Sequence, residues 1–105
     1  METTYALVMT TCADRANAES IARLLIGERL AACVQIFPIE SFYQWEGAVQ
    51  EARELMLLCK IKRADYADVE AAIRAAHPYA NPEIIEIPIE KGAPAYLDWI
   101  ASVTR

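Results

Sequence analysis

The chain is short of glycine, histidine and cysteine, and each shortage removes a class of function. Its three glycines, Gly27, Gly47 and Gly92, are too scattered to form a phosphate-cradling loop. The single histidine, His77, excludes an HExxH zinc helix and leaves few acid–base schemes. No GxSxG turn offers a serine nucleophile. The three cysteines, Cys12, Cys33 and Cys59, are odd in number, far apart and without a CxxC spacing. They form no disulfide framework and read as thiols in a reducing cytoplasm. No Lys/Arg cluster is present, and the net charge of -5 argues against nucleic acid or an anionic membrane as partner. No apolar run approaches the roughly 18 residues of a membrane span. The opening Met1-Glu2-Thr3-Thr4 lacks the basic and apolar regions of a leader peptide.

What is present is apolar surface. A hydrophobic content of 55% is high for 105 residues, which make one domain, residues 1–105, with room for one core. The stretch from Cys33 to Lys62 shows where the excess goes. It reads as two long strands, about Cys33–Trp45 and about Val49–Lys62, folded back at Glu46-Gly47. Roughly 13 residues each gives about 40 Å of ribbon, more than a domain of this size encloses. In the second strand Leu55, Leu57, Cys59 and Ile61 share one face, while Met56 and Leu58 make the other face apolar too. A sheet with helices on one side ordinarily has a wet second face. This one is expected to lie against another copy of the chain. The apolar phase switches at Ile36-Phe37-Pro38, where a proline implies a bulge or an edge strand.

The remaining elements follow in order. Tyr5 to Thr11 is a first strand. Asp14 caps a helix whose stripe is Ala18, Ile21, Ala22, Leu24 and Leu25. After the hairpin, Tyr66, Val69, Ile73 and Ala76 stripe a second helix that His77-Pro78 stops. Glu83 to Ile89 alternates as a fourth strand, with Ile85, Ile87 and Ile89 on one face. Pro94 opens a last helix carrying Leu97, Trp99, Ile100 and Val103. The order is that of an α+β ferredoxin-like βαββαβ sandwich, with an extended β2–β3 hairpin and a C-terminal helix.

Candidate chemistry is sparse. Cys12 lies at a strand-to-helix turn, where helix N–H groups lower a thiol pKa, or it is a small buried turn residue. A Cys–His nucleophile pair requires Cys12 and His77 to meet. One leaves the first strand and the other the second helix, so they read as separate, with His77 a helix C-terminal cap. Cys33 and Cys59 read as inert strand thiols. One cysteine and one histidine are too few for a closed metal site in one chain. A weak open site, or one shared between subunits, is the metal reading left. The rings of Tyr43, Trp45, Tyr79, Tyr96 and Trp99 pack a core and an interface on the plain reading. On the functional reading they line an inter-subunit ligand cleft, Tyr43, Trp45 and Tyr79 among them, with Lys60 and Glu83 as polar handles.

Five segments together resemble one family. Thr10-Thr11-Cys12-Ala13-Asp14, Glu28-Arg29-Leu30-Ala31-Ala32-Cys33-Val34, Tyr43-Gln44-Trp45-Glu46-Gly47, His77-Pro78-Tyr79-Ala80-Asn81-Pro82-Glu83 and Tyr96-Leu97-Asp98-Trp99 look like successive signatures of the CutA divalent-cation tolerance proteins. The resemblance spans nearly the whole chain. It implies a ferredoxin-like protomer in a cytoplasmic homotrimer and no enzymatic activity. It also implies a tolerance role towards copper or another divalent cation, with Cys12 and His77 as the metal residues. Ala13 stands where the family usually has proline, and Ala76 where some members carry a second histidine. The rival expectation is a PII-like trimer that binds a small anionic molecule or a protein partner in the cleft between subunits.

Overall fold

A computed structural model describes residues 4–105. Met1, Glu2 and Thr3, read above for the absence of a leader, lie outside the described residues. The elements run β1 (Tyr5–Cys12), α1 (Arg15–Gly27), β2 (Cys33–Trp45), β3 (Ala48–Lys62), a short 3-10 turn (Arg63–Asp65), α2 (Tyr66–Ala76), β4 (Ile84–Ile89) and α3 (Pro94–Val103). The four strands form one antiparallel sheet in the order β2-β3-β1-β4. This is the expected ferredoxin-like arrangement.

Local chemistry explains the boundaries. The Asp14 side chain accepts a 2.8 Å hydrogen bond from the Asn17 amide, so α1 starts where an acceptor meets the orphan donors. At its other end Arg29 takes a left-handed φ of 58°, and the Leu30 and Ala31 amides return to the Leu25 carbonyl. The hairpin closes through Glu46 and Gly47, with φ of 52° and 78°, the paired positive angles that match the twist of the strands. The β2–β3 register then runs without interruption from Trp45↔Ala48 to Cys33↔Lys60. No bulge interrupts it at Pro38, which is tolerated because β2 is an edge strand.

Helices α1 and α2 cover one sheet face. Ala6, Val8 and Cys12 of β1, with Leu57, Cys59 and Ile61 of β3, meet Ile21 and Leu25 of α1 and Val69 and Ile73 of α2 in the core. Each large aliphatic chain so buried contributes about 1.5–3 kcal/mol. The other face is apolar as well. Leu7, Met9 and Leu58 are half-buried on it, Met56 is nearly covered, and Phe37, Ile85 and Ile87 are exposed. The alternating isoleucines of β4 thus face away from α1 and α2. Toward those helices β4 presents Ile84, Glu86 and Pro88, and only Ile84 packs on the core. The last helix covers part of the second face, where Lys60 meets Tyr96. The hairpin projects: the long dimension is 44 Å against 28 and 22 Å for the others.

Candidate functional site

Cys12 and His77 meet, contrary to the expectation from their places in the chain. Cys12 ends β1, and His77 is the first residue after α2. Their side chains are both buried, and Sγ lies 4.0 Å from Nε2. The fold brings them together because α2 ends beside the last residues of β1, and sequence spacing carries no trace of that. His77 does not reach back to the helix carbonyls. Its Nδ1 accepts from the Tyr79 amide at 3.2 Å, which places the ring proton on Nε2. That N–H donates to the Thr11 carbonyl at 2.6 Å. The imidazole therefore staples the α2–β4 loop to the end of β1, and the Tyr79 ring leans on it with centroids 4.7 Å apart.

The Cys12 thiol is not activated. Burial, with Asp14 and Glu54 nearby, pushes its pKa up to about 11. A nucleophilic thiol needs the opposite shift. Cys59 is pushed further, to about 12, chiefly by burial in the core. All three cysteines are free thiols. For metal binding the pair offers a sulfur and an imidazole nitrogen, the donors a soft ion takes. Both ring nitrogens are already engaged and the sulfur holds its proton. Among the described residues no group of three or more His, Cys, Asp or Glu side chains is close enough to hold a metal ion.

Beside this staple lies an open groove of about 710 Å³, between the outer half of the hairpin and the loop after His77. Tyr43 and Trp45 come from β2, and Tyr79 and Glu83 from the loop, so four of the five expected cleft residues share it. Lys60 does not line it. Lys60 sits further along β3, where its ammonium donates to the Tyr96 hydroxyl at 3.0 Å and lies 5.2 Å from that ring's centroid. Two carboxylates that sequence reading missed also line the groove, Glu40 and Glu54. Glu54 accepts from the Tyr79 hydroxyl at 3.1 Å. Burial, then the Glu54 carboxylate, hold that phenol protonated, with a pKa of about 12. The signal for Glu54 was available: counting back from the Glu46-Gly47 turn pairs it with Ile39, on the face that carries Tyr43 and Trp45.

Known proteins share this fold. The family model for the CutA1 divalent ion tolerance protein matches residues 6–103. The divalent-cation tolerance protein CutA of Archaeoglobus fulgidus is 42% identical over 93 residues, covering 89% of this chain and 91% of its own. Its solved structure, described as periplasmic, superposes with a TM-score of 0.93 over 94% of this chain and 97% of that one. The Thermus thermophilus CutA protein is 41% identical over 93% of this chain and 96% of its own. CutA1 from a psychrotrophic Shewanella reaches a TM-score of 0.95 at 37% identity, over 99% of this chain and 98% of that one. With the family model matched over residues 6–103 and relatives about 40% identical over most of its length, the chain belongs to the CutA1 divalent ion tolerance family.

Proposed function

We propose that the chain serves divalent-cation tolerance as a cytoplasmic homotrimer, without catalysis, and that copper is the cation it meets at Cys12 and His77. The observation that carries the assembly is the second sheet face. Phe37, Ile85 and Ile87 remain 41–47% exposed on it, beside the half-buried Leu7, Met9 and Leu58. An apolar face of this kind, continuous with a projecting hairpin, is what an interface between copies buries. Three free thiols favour a reducing compartment. The Cys12 thiol, its pKa pushed up to about 11, is poorly suited to nucleophilic catalysis, and any metal there must first displace its proton. Copper at the pair displaces the thiol proton and competes with Thr11 for Nε2, so two donors from one chain give a weak site.

Sedimentation equilibrium at micromolar concentration tests the assembly. A mass about three times the 11.7 kDa of one chain is expected. Ile87→Glu places a charge on the exposed face without touching the core, and is expected to yield smaller species. A monomeric wild type, or an Ile87→Glu protein that stays trimeric, refutes the reading. Calorimetric titration with Cu(I) and Cu(II) tests the metal. Cys12→Ala and His77→Ala should each weaken binding, and unchanged affinity removes both residues as ligands.

A further inference from the structure

His77 is hydrogen-bonded the wrong way round for a metal ligand. A histidine that binds a metal through one ring nitrogen ordinarily donates its other N–H to a carbonyl or carboxylate. Here Nδ1 faces a donor, the Tyr79 amide at 3.2 Å, and Nε2 faces an acceptor, the Thr11 carbonyl at 2.6 Å. The lone pair is therefore on Nδ1, and the proton is on Nε2, the nitrogen 4.0 Å from Cys12 Sγ. The donor types suit a soft ion. Their 4.0 Å separation is also within the span of about 4.3 Å that a sulfur and an imidazole nitrogen on one ion reach, with zinc bond lengths as the guide. What does not suit is the tautomer. For Nε2 to become a ligand its proton must leave, and the neutral ring must carry one on Nδ1 instead. The ring then holds the same number of protons as before, and the Cys12 proton goes to water. Nδ1–H now points at the Tyr79 N–H, donor against donor, and the Thr11 carbonyl loses its own donor. Both ties are lost together.

Little else holds the segment that these ties fix. Among the described residues, no backbone–backbone hydrogen bond outside the helices and strands involves residues 78–83. The other anchors of the loop both come from Tyr79: its hydroxyl donates to Glu54 of β3 at 3.1 Å, and its ring leans on the imidazole. Displacing the Tyr79 amide disturbs the hydroxyl bond as well, because one residue carries both. We infer that the Tyr79 amide and the Thr11 carbonyl latch His77 in the tautomer that excludes a metal, so that copper binds at Cys12 and His77 only with release of the loop, residues 78–83, from β1 and from the hairpin. This regulation rests on the copper reading of the pair. It converts occupancy of a buried pair into a change of loop position beside the hairpin. Coupling of this kind is reciprocal, so whatever frees the loop tightens the metal.

His77 is the only histidine, so nitrogen NMR of isotope-labelled protein reads its ring without ambiguity. Cu(I), which is diamagnetic, is titrated anaerobically into the full chain in its native assembly, with the affinity taken from competition with a chelator. The Nδ1 resonance is expected to change from acceptor to protonated type. Hydrogen exchange of the Tyr79 amide is expected to quicken about tenfold as one hydrogen bond's protection is lost. Tyr79→Phe, which frees the loop from Glu54, should tighten Cu(I) about fivefold. Tyr96→Phe, which loses a hydroxyl contact with Lys60 instead, should leave the affinity unchanged. Failure of the latch and failure of the copper reading are told apart. If Cu(I) does not bind, or binds Cys12→Ala and His77→Ala as tightly as the parent, the copper reading falls and the latch falls with it. If Cu(I) binds through the pair while Nδ1 stays an acceptor and the Tyr79 amide stays protected, the copper reading stands and the latch alone is overturned. A Tyr79→Phe protein that binds Cu(I) no more tightly than the parent, or a Tyr96→Phe protein that gains as much, overturns it too.

Discussion

Replacing His77 with phenylalanine removes two hydrogen bonds and puts a slightly larger ring in its place. The ring is 8% exposed, and its packing against Tyr79 survives the exchange. What is lost is the donor to the Thr11 carbonyl at 2.6 Å and the acceptor for the Tyr79 amide at 3.2 Å. A buried polar group left without a partner costs about 1–3 kcal/mol. The Thr11 carbonyl, in a residue only 5% exposed, should incur most of that range. The Tyr79 amide sits in a loop between two exposed residues, where water replaces the ring nitrogen at smaller cost. The expected total is about 2–3 kcal/mol, a large share of a domain stability of about 5–15 kcal/mol. Urea unfolding at one fixed protein concentration and with chelator present measures it, since both assembly and bound metal shift apparent stability. The midpoint should fall with the slope unchanged. His77→Gln, which keeps a donor, should recover part of the loss. A loss below about 0.5 kcal/mol would mean that water already serves both groups, and the staple would not be a structural tie.

Three further outcomes are expected. Thr10 is fully buried and its hydroxyl oxygen has no partner, so Thr10→Val should raise stability by about 1 kcal/mol in the same urea assay. Glu46 holds a left-handed φ that asparagine adopts more readily, so Glu46→Asn should stabilise the hairpin by about 0.5 kcal/mol, while Gly47→Ala should destabilise it by about 1 kcal/mol in thermal unfolding. The raised Cys12 pKa makes its contribution to stability fully present below pH 9, the ordinary thiol value, and lost as pH climbs towards about 11. Unfolding titrations across that window should show a smaller decline for Cys12→Ala, and iodoacetamide at pH 8 should label the buried, protonated Cys12 far more slowly than a free thiol.

Much of the fold was legible because local rules carried it. Asp14, Glu46-Gly47, His77-Pro78 and Pro94 each mark an element boundary through backbone chemistry, and the structure keeps all four. The facing of β4 was less legible. Alternation shows that Ile85, Ile87 and Ile89 share a face but not which layer that face meets, and here it is the side without α1 and α2. The site divides the same way. Tyr43, Trp45, Tyr79 and Glu83 were readable as rings and an acid near turns. The Cys12–His77 contact joins residues 65 apart where α2 ends beside the last residues of β1, which no local pattern encodes. Lys60 stands apart from the groove within one chain, because strand position fixes its face but not its neighbour, and α3 supplied one in Tyr96.

The two rims of the sheet are unlike. β2 offers an outer edge 13 residues long and β4 one of 6, each interrupted by an exposed proline, Pro38 and Pro88. Two dissimilar rims join head to tail, and such joins close into a ring or run on as a filament according to the angle between copies. Were copies to pair rim to rim, the prolines would limit how far one rim could slide along the other. Removing Pro38 or Pro88 would therefore loosen the choice between a finite particle and a fibre before it disturbed the protomer.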